Sequence, residues 1–261
     1  MSLIDQEHYL TLNTGLKMPP LGLGLWKMDK SCCAQVVYDA IKTGYRLLDS
    51  ACDYGNEQQT GEGIERALKD GLCKREDLFV VSKLWNTFHR PEHVKPALLR
   101  SLKDMKVDYL DLYIIHFPIS LKYVDPEVRY PPEWIHDPKA ENPRMEPDHG
   151  VTYQETWQAM EELVKEGLVK NIGISNVGTV KIIDVIKYAK IKPAILQVEM
   201  HPFLAQEKLL RFTHMQGIHV MSYSNFGSLS YVSIGLATEA DTCLLSPALL
   251  NPAEKYKKTP A

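Results

Sequence analysis

No stretch of this chain approaches the roughly 18 consecutive apolar residues that a membrane-crossing helix needs, so a membrane partner is not expected. The opening residues, Met1–Glu7, carry no cationic segment ahead of an apolar run, and no secretory leader is expected from them. Cysteine is sparse: Cys32, Cys33, Cys52, Cys73 and Cys243 are odd in number and form no C-x-x-C pair. That argues against a disulfide framework and against structural zinc, and for a reducing, cytoplasmic setting. An excess of one charge is also missing. Thirty Lys and Arg stand against 33 Asp and Glu, a net charge of −3, which gives no reason to expect a nucleic acid as partner. The histidines at 89, 93, 136, 149, 201, 214 and 219 show no metal-ligand spacing, so no metal is expected and a metal-dependent hydrolase has no ligand set. The Gly-rich dinucleotide fingerprint is absent as well. Gly22 and Gly24 are followed by Leu-Trp-Lys, without the third glycine that closes the phosphate turn.

What is present is a chain of 261 residues, 44% hydrophobic, long enough to bury one full core; a single domain over 1–261 is expected. It opens on a hairpin pattern, Tyr9–Leu12 and Leu16–Pro19 around Asn13-Thr14-Gly15. Short apolar runs then alternate with helical-period segments. The runs are 21–26, 46–50, 78–83, 110–116, 171–175, 195–199 and 219–223. The helical stripes include Cys33/Val36/Val37/Ala40/Ile41, Ile64/Ala67/Leu68, Val94/Leu98/Leu102/Met105, Trp157/Met160/Leu163/Val164 and Val180/Ile183/Ile186/Ala189. Helices are also expected at 207–215 and 247–257, with 225–246 irregular. Seven strand–helix units without a dinucleotide fingerprint point to a (β/α)8 TIM barrel with an N-terminal hairpin. One strand is wanting. Thr259-Pro260 at the end is a helix-opening signal, so the eighth strand and a C-terminal loop are expected to be missing from this chain. Between Phe117 and Gly150 seven prolines interrupt the rhythm, and a loop of that length is expected to be functional.

Polar side chains close three consecutive strands: Asp49, with Tyr54 just after it, then Lys83, then His116. In a parallel α/β fold, strand C-termini converge on the ligand face. A tyrosine beside a lysine ammonium is expected to release its proton more readily, an aspartate to keep the lysine charged, and a histidine to hold a carbonyl oxygen. Taken singly, each has a plainer reading: Asp49 an ion pair with nearby Arg46, Lys83 a solvated strand end, His116 a bonded core histidine, Asn176 a helix cap. Gln197 inside an apolar strand is harder to explain without a ligand.

These residues carry a resemblance. Gly44-Tyr-Arg-Leu-Leu-Asp49-Ser-Ala with Tyr54-Gly-Asn-Glu57, Ser82-Lys83-Leu-Trp85, Ile115-His116-Phe-Pro118, Asn171-Ile-Gly-Ile-Ser175-Asn176 and Gln197-Val-Glu199 resemble the motifs of the aldo-keto reductases, most closely the xylose and aldose reductases. The resemblance runs from about residue 8 to the end. It implies an NAD(P)H-dependent oxidoreductase that reduces aldehydes, aldoses such as xylose among them, to alcohols. Tyr54 would donate the proton, Lys83 and Asp49 would lower its pKa, and His116 would orient the carbonyl. NADPH, with NADH as the alternative, would lie against Leu25, Trp26, Asp49, Ser175, Asn176 and Gln197. Tyr223 would stack on the nicotinamide, and Ser224, Asn225, Phe226, Gly227 and Ser228 would fold over the pyrophosphate. Trp26, Trp85, His116 and Phe117 would form the substrate walls. The implied partner is a small carbonyl compound, and the implied state, for a full-length chain, a monomer or weak dimer.

Thr60 departs from the aliphatic residue usual in the first motif. The segment that selects the 2′-phosphate in this family lies past Ala261. A second reading therefore stands beside the first: a catalytically impaired fragment, or an interaction protein on a reductase scaffold.

Overall fold

The computed structural model describes residues 8–260 apart from Ser228 and Ser233. Met1–Glu7, on which the leader expectation rests, and Ser228, a predicted pyrophosphate contact, lie outside the described residues. The chain forms two compact units, one ending at Ile195 and the other starting at Leu196.

The first unit opens on the expected hairpin. β1 (Leu10–Thr11) pairs antiparallel with β2 (Lys17–Met18), and Gly15 takes the positive φ of +83° that the turn requires. Asn13 donates to the Pro193 carbonyl at 2.9 Å and Thr14 to Asn171 at 2.5 Å. Five parallel strands follow in register: β3 (Gly22–Gly24), β4 (Leu47–Asp49), β5 (Phe79–Leu84), β6 (Leu112–Ile115) and β7 (Ile172–Ser175). Asn13 and Thr14 thus fasten the hairpin at the N-terminal edge of this sheet, leaving the C-terminal edge to the polar residues. All six residues of β5 are buried, as a strand covered on both faces must be.

The helices between them are α1 (Lys30–Thr43), α2 (Glu57–Lys69), α3 (Pro91–Met105), α4 (Tyr153–Lys165) and α5 (Thr179–Tyr188). Asp29 caps α1, and Thr152 with Glu155 forms a capping box on α4. Val94, Leu98, Leu102 and Met105 of α3 are all buried, worth roughly 2 kcal/mol each. Helix α2 packs without room for side chains at two points. A Cβ on Gly61 would lie 2.5 Å from the Asp104 carbonyl of α3, and one on Gly63 would lie 2.6 Å from the Ala34 carbonyl of α1. Thr60 is buried, and its hydroxyl donates to the Asn56 carbonyl at 3.0 Å, which answers the polar group in that motif.

The stripe expected on α5 is wrong in phase. Val180 and Ile183 are exposed, while Ile182 and Val185 are the buried pair. Five of the ten residues in this helix are Val or Ile, so periodicity alone offers two faces and packing chooses. Ala189 lies just past the helix as its C-cap.

The second unit holds most of β8 (Ile195–Glu199), then α6 (Glu207–Met215), β9 (His219–Tyr223), α7 (Leu229–Val232) and α8 (Pro247–Tyr256). The expected irregular stretch 225–246 contains α7 and two 3₁₀ turns, Glu239–Asp241 and Cys243–Leu245. These elements are too short to leave a periodic pattern. Among the described residues, no helix is long and apolar enough to cross a membrane.

Candidate active site

Asp49 is the last residue of β4, Lys83 the last but one of β5, and His116 the residue after β6. A 3₁₀ turn, Cys52–Tyr54, brings Tyr54 back over the same edge. The structure joins three of these four directly. Lys83 Nζ donates to Asp49 Oδ1 at 2.9 Å, to the Tyr54 hydroxyl at 2.9 Å and to the Ser50 carbonyl at 2.8 Å. All three ammonium protons are thereby placed. Lys83 is completely buried, so it is no solvated strand end. Nor does Asp49 pair with Arg46, whose guanidinium donates to the carbonyls of Ile41 and Tyr45.

Burial works against the Lys83 charge, yet Asp49 and Tyr54 together raise its pKa above the ordinary lysine value. Tyr54 behaves against expectation: its pKa is pushed up to about 12. Burial is the main cause, Lys83 pulls the other way, and Asp49 adds to the rise rather than lowering it. Proximity to a cation was legible in the sequence, but desolvation outweighs it. Tyr54 is therefore a neutral acid that keeps its proton throughout the physiological range. His116 is neutral too, held well below the ordinary histidine value by burial first and then by the Lys83 charge. Its Nδ1 is buried with no hydrogen-bond partner among the described residues. The His116 ring stands edge-on to Tyr54, centroids 5.8 Å apart.

An aromatic cluster adjoins this group. Trp85, almost fully buried, lies edge-on to His116 at 5.2 Å and to Phe117 at 5.9 Å, and Phe117 stacks on His116 at 4.8 Å. The cluster has a fourth member that no sequence pattern indicates. Trp134, from the proline-rich segment, sits 4.9 Å from both Trp85 and Phe117, and the Trp85 indole donates to the neighbouring Glu133 carbonyl. Only its indole marked it, since no local pattern ties residue 134 to residue 85. Trp26 is exposed past β3 with the Lys27 ammonium 4.5 Å above its ring. Leu25 is fully buried, its N–H donating to the Asp49 carbonyl and its carbonyl accepting from Asn56. Asp53, beside Tyr54, is a further titratable group that no sequence motif indicates. Burial and the neighbouring Glu133 charge push its carboxyl up to about 7.

Further along the same edge, Ser175 ends β7 fully buried, its hydroxyl without a partner among the described residues. That open donor and acceptor suits a ligand amide. Asn176 does not cap α5, whose N-cap is Gly178; it takes a positive φ of +58° and its side chain donates to the His116 carbonyl at 2.9 Å. It thus ties the start of the β7–α5 loop to the tetrad's fourth member.

In the second unit, Gln197 is buried in β8, and its amide lies 2.8 Å from Met221 Sδ. The Tyr223 carbonyl accepts from the Met200 N–H, and Ser224 turns the chain with a φ of +52° and accepts from the Gly227 N–H. Asn225 donates to Ser222, and Phe226 is half exposed. At Gly227, with φ +81°, a Cβ would lie 2.8 Å from Cys243 Sγ, so the turn admits no side chain. Among the described residues, no group of three or more His, Cys, Asp or Glu could hold a metal ion.

Parallel βα units with a buried Lys–Asp pair on a neutral tyrosine at the strand C-termini fit the class of barrel oxidoreductases acting on carbonyl groups. The chain belongs to the aldo/keto reductase family, whose profile matches residues 20–234. A probable NAD(P)H-dependent D-xylose reductase of Emericella nidulans is 52% identical over 253 residues, 96% of this chain and 77% of that protein. The NAD(P)H-dependent D-xylose reductase of Hypocrea jecorina is 49% identical, over 97% and 78% respectively. Among solved structures, the aldose reductase of Schistosoma japonicum superposes with a TM-score of 0.82 at 38% identity, covering 97% of this chain and 76% of that one. An aldo-keto reductase of Bombyx mori in complex with NADP scores 0.81 at 36% identity, over the same shares. The fold class is therefore the (β/α)8 barrel, as expected.

Proposed function

We propose that this protein reduces aldehydes, open-chain aldoses such as xylose among them, to alcohols with NADPH, NADH being the alternative. The observation that carries the reading is the triple formed by Asp49, Lys83 and Tyr54, with neutral His116 edge-on to the tyrosine. A bound nicotinamide supplies the hydride. Every other task falls to the chain's own side chains. A substrate carbonyl oxygen accepts a hydrogen bond from the Tyr54 hydroxyl and one from the N–H of the His116 imidazole, and so polarises its carbon. As charge develops on that oxygen, the tyrosine proton moves to it. Lys83, fully charged and fixed by Asp49, stabilises the phenolate left behind. Afterwards a proton from solvent restores the tyrosine. Trp85, Phe117 and Trp134 keep water from the reacting carbon, with Trp26 as a further wall.

Ser175, by its unpartnered hydroxyl, and Asn176 are the first unit's candidates for the cofactor carboxamide. Gln197, Tyr223 and residues 224–228 are the second unit's candidates, Tyr223 for the ring and 224–228 for the pyrophosphate. The fit of Leu25 is through packing, since both of its backbone polar groups are engaged. We place the protein in the cytoplasm, as one barrel domain acting as a monomer or weak dimer, with no nucleic-acid partner. The test is cofactor oxidation followed with D-xylose, other aldoses and simple aldehydes. Carbonyl-dependent turnover supports the reading, while tight NADPH binding with no turnover on any carbonyl would overturn it.

A further inference from the structure

One buried carboxylate near the tetrad has no part in the chemistry above. Glu57 is the first residue of α2, three residues after Tyr54, and only 3% exposed. An isolated buried carboxylate is costly, and this one is answered by three hydroxyls. Oε1 accepts from Ser82 of β5 at 2.6 Å. Oε2 accepts from Ser101 of α3 at 3.0 Å and from Tyr130 of the proline-rich segment at 3.3 Å. The donors come from three separate elements, and two of them bear on the tetrad. Ser82 immediately precedes Lys83, and alternation along a strand sends their side chains to opposite faces of the sheet. Lys83 reaches Tyr54 on one face while Ser82 reaches Glu57 on the other. The strand is gripped from both sides at the residue where the ammonium must be aimed.

Tyr130 adds a second brace. The Arg100 guanidinium lies 3.8 Å above its ring, and Pro131 is 3.6 Å from where a Cβ on Gly55 would stand, beside Tyr54. The charged or titratable groups facing Glu57 are Asp104 on α3, Cys52, Tyr113 and Tyr130. Among the described residues no lysine or arginine pairs with it, so its bonds are to hydroxyls and its part is tethering.

We propose that Glu57 is a positioning residue: through Ser82 and Tyr130 it fixes the Tyr54 turn against the Lys83 strand and so holds the 2.9 Å contact between the tyrosine hydroxyl and the lysine ammonium. This rests on Tyr54 being the proton donor. Proton transfer falls steeply with displacements of about an ångström, whereas substrate and cofactor binding spread over many contacts tolerate them.

The test compares Glu57→Ala, Glu57→Gln, Ser82→Ala and Tyr54→Phe in the full chain, with steady-state kinetics and NADPH affinity. Glu57→Ala is expected to lower kcat tenfold or more, with KM for the aldehyde within about threefold and NADPH affinity unchanged. Glu57→Gln is expected to restore most of kcat, because an amide oxygen still accepts from Ser82 and the other two hydroxyls can turn to accept. Ser82→Ala, which removes only the bond to β5, should lower kcat severalfold and decides the matter if Glu57→Ala does not fold. A normal kcat in Glu57→Ala or Ser82→Ala, or a Glu57→Gln variant as impaired as the alanine, would overturn the proposal. Tyr54→Phe separates the two layers. If it is inactive while Glu57→Ala is normal, only this inference fails; if it retains full rate, the functional reading fails too.

Discussion

Replacing Asp49 by Asn tests the charge balance at the heart of the site. The amide keeps the size and one acceptor oxygen of the carboxylate, so the geometry around Lys83 can persist while its counter-charge is lost. At an effective dielectric of about 20, two unit charges 2.9 Å apart attract by about 6 kcal/mol. The full loss cannot appear, because Lys83 has an alternative. Shedding its proton at pH 7 costs about 5 kcal/mol from an ordinary lysine pKa, which sets the ceiling. Breaking a buried pair from one side typically costs 3–5 kcal/mol. Asp49→Asn is therefore expected to lose about 3–5 kcal/mol in urea unfolding, equivalent to roughly 10 °C in Tm for a chain of this size. It should also lose about 100-fold in kcat, since a discharged lysine cannot stabilise the phenolate. Adding Lys83→Met to the variant should recover stability but not activity, because no buried charge is then left alone. A loss below about 1 kcal/mol, or a double variant less stable than Asp49→Asn, would show that Asp49 is not the counter-charge of Lys83.

Burial pushes the Glu57 carboxyl up to about 7 despite its three hydroxyl donors. A group whose folded pKa is raised gives stability that is present at low pH and is lost as pH rises, here between the ordinary value of 4.5 and 7, by roughly 3 kcal/mol. Glu57→Gln lacks that loss, so its Tm relative to wild type should climb from pH 5 to pH 8; a flat difference would contradict the burial argument. His89 is held down to about 3 by burial, and His116 well below 6.5 by burial and the Lys83 charge. Their ring proton resonances should stay fixed between pH 5 and 8, and a midpoint near 6.5 for either would contradict the burial that holds it neutral. On α5, Ile182→Ala should cost about 2–4 kcal/mol and Val180→Ser under about 1 kcal/mol in chemical unfolding; the reverse order would restore the stripe that periodicity suggested.

What the sequence made legible follows the range of the interactions involved. Helix α4 and strands β8 and β9 fall where their patterns place them, because an alternating or 3.6-residue period is local. The tetrad was legible for a related reason: strand ends are local features, and a parallel fold gathers strand ends on one edge. Helix α5 was misphased because its apolar residues outnumber those one face can bury. Trp134 and Tyr130 reach their partners across 49 and 73 residues of chain, and no pattern encodes such a meeting. The direction of the Tyr54 shift was lost for a different reason. Neighbouring motifs name the charges around a hydroxyl, but the extent of its desolvation emerges only when strands and loops close over it.

In the proposed mechanism Tyr54 delivers the proton in a nicotinamide-dependent carbonyl reduction. Its most direct test is the aldehyde-dependent oxidation of NADPH by Tyr54→Phe, measured alongside NADPH affinity. The variant keeps the ring and its edge-on contact with His116 but has no proton to give. General acid catalysis contributes on the order of 10²–10⁴-fold, so kcat should fall by that much while NADPH binds as in wild type. Turnover within tenfold of wild type would contradict the account.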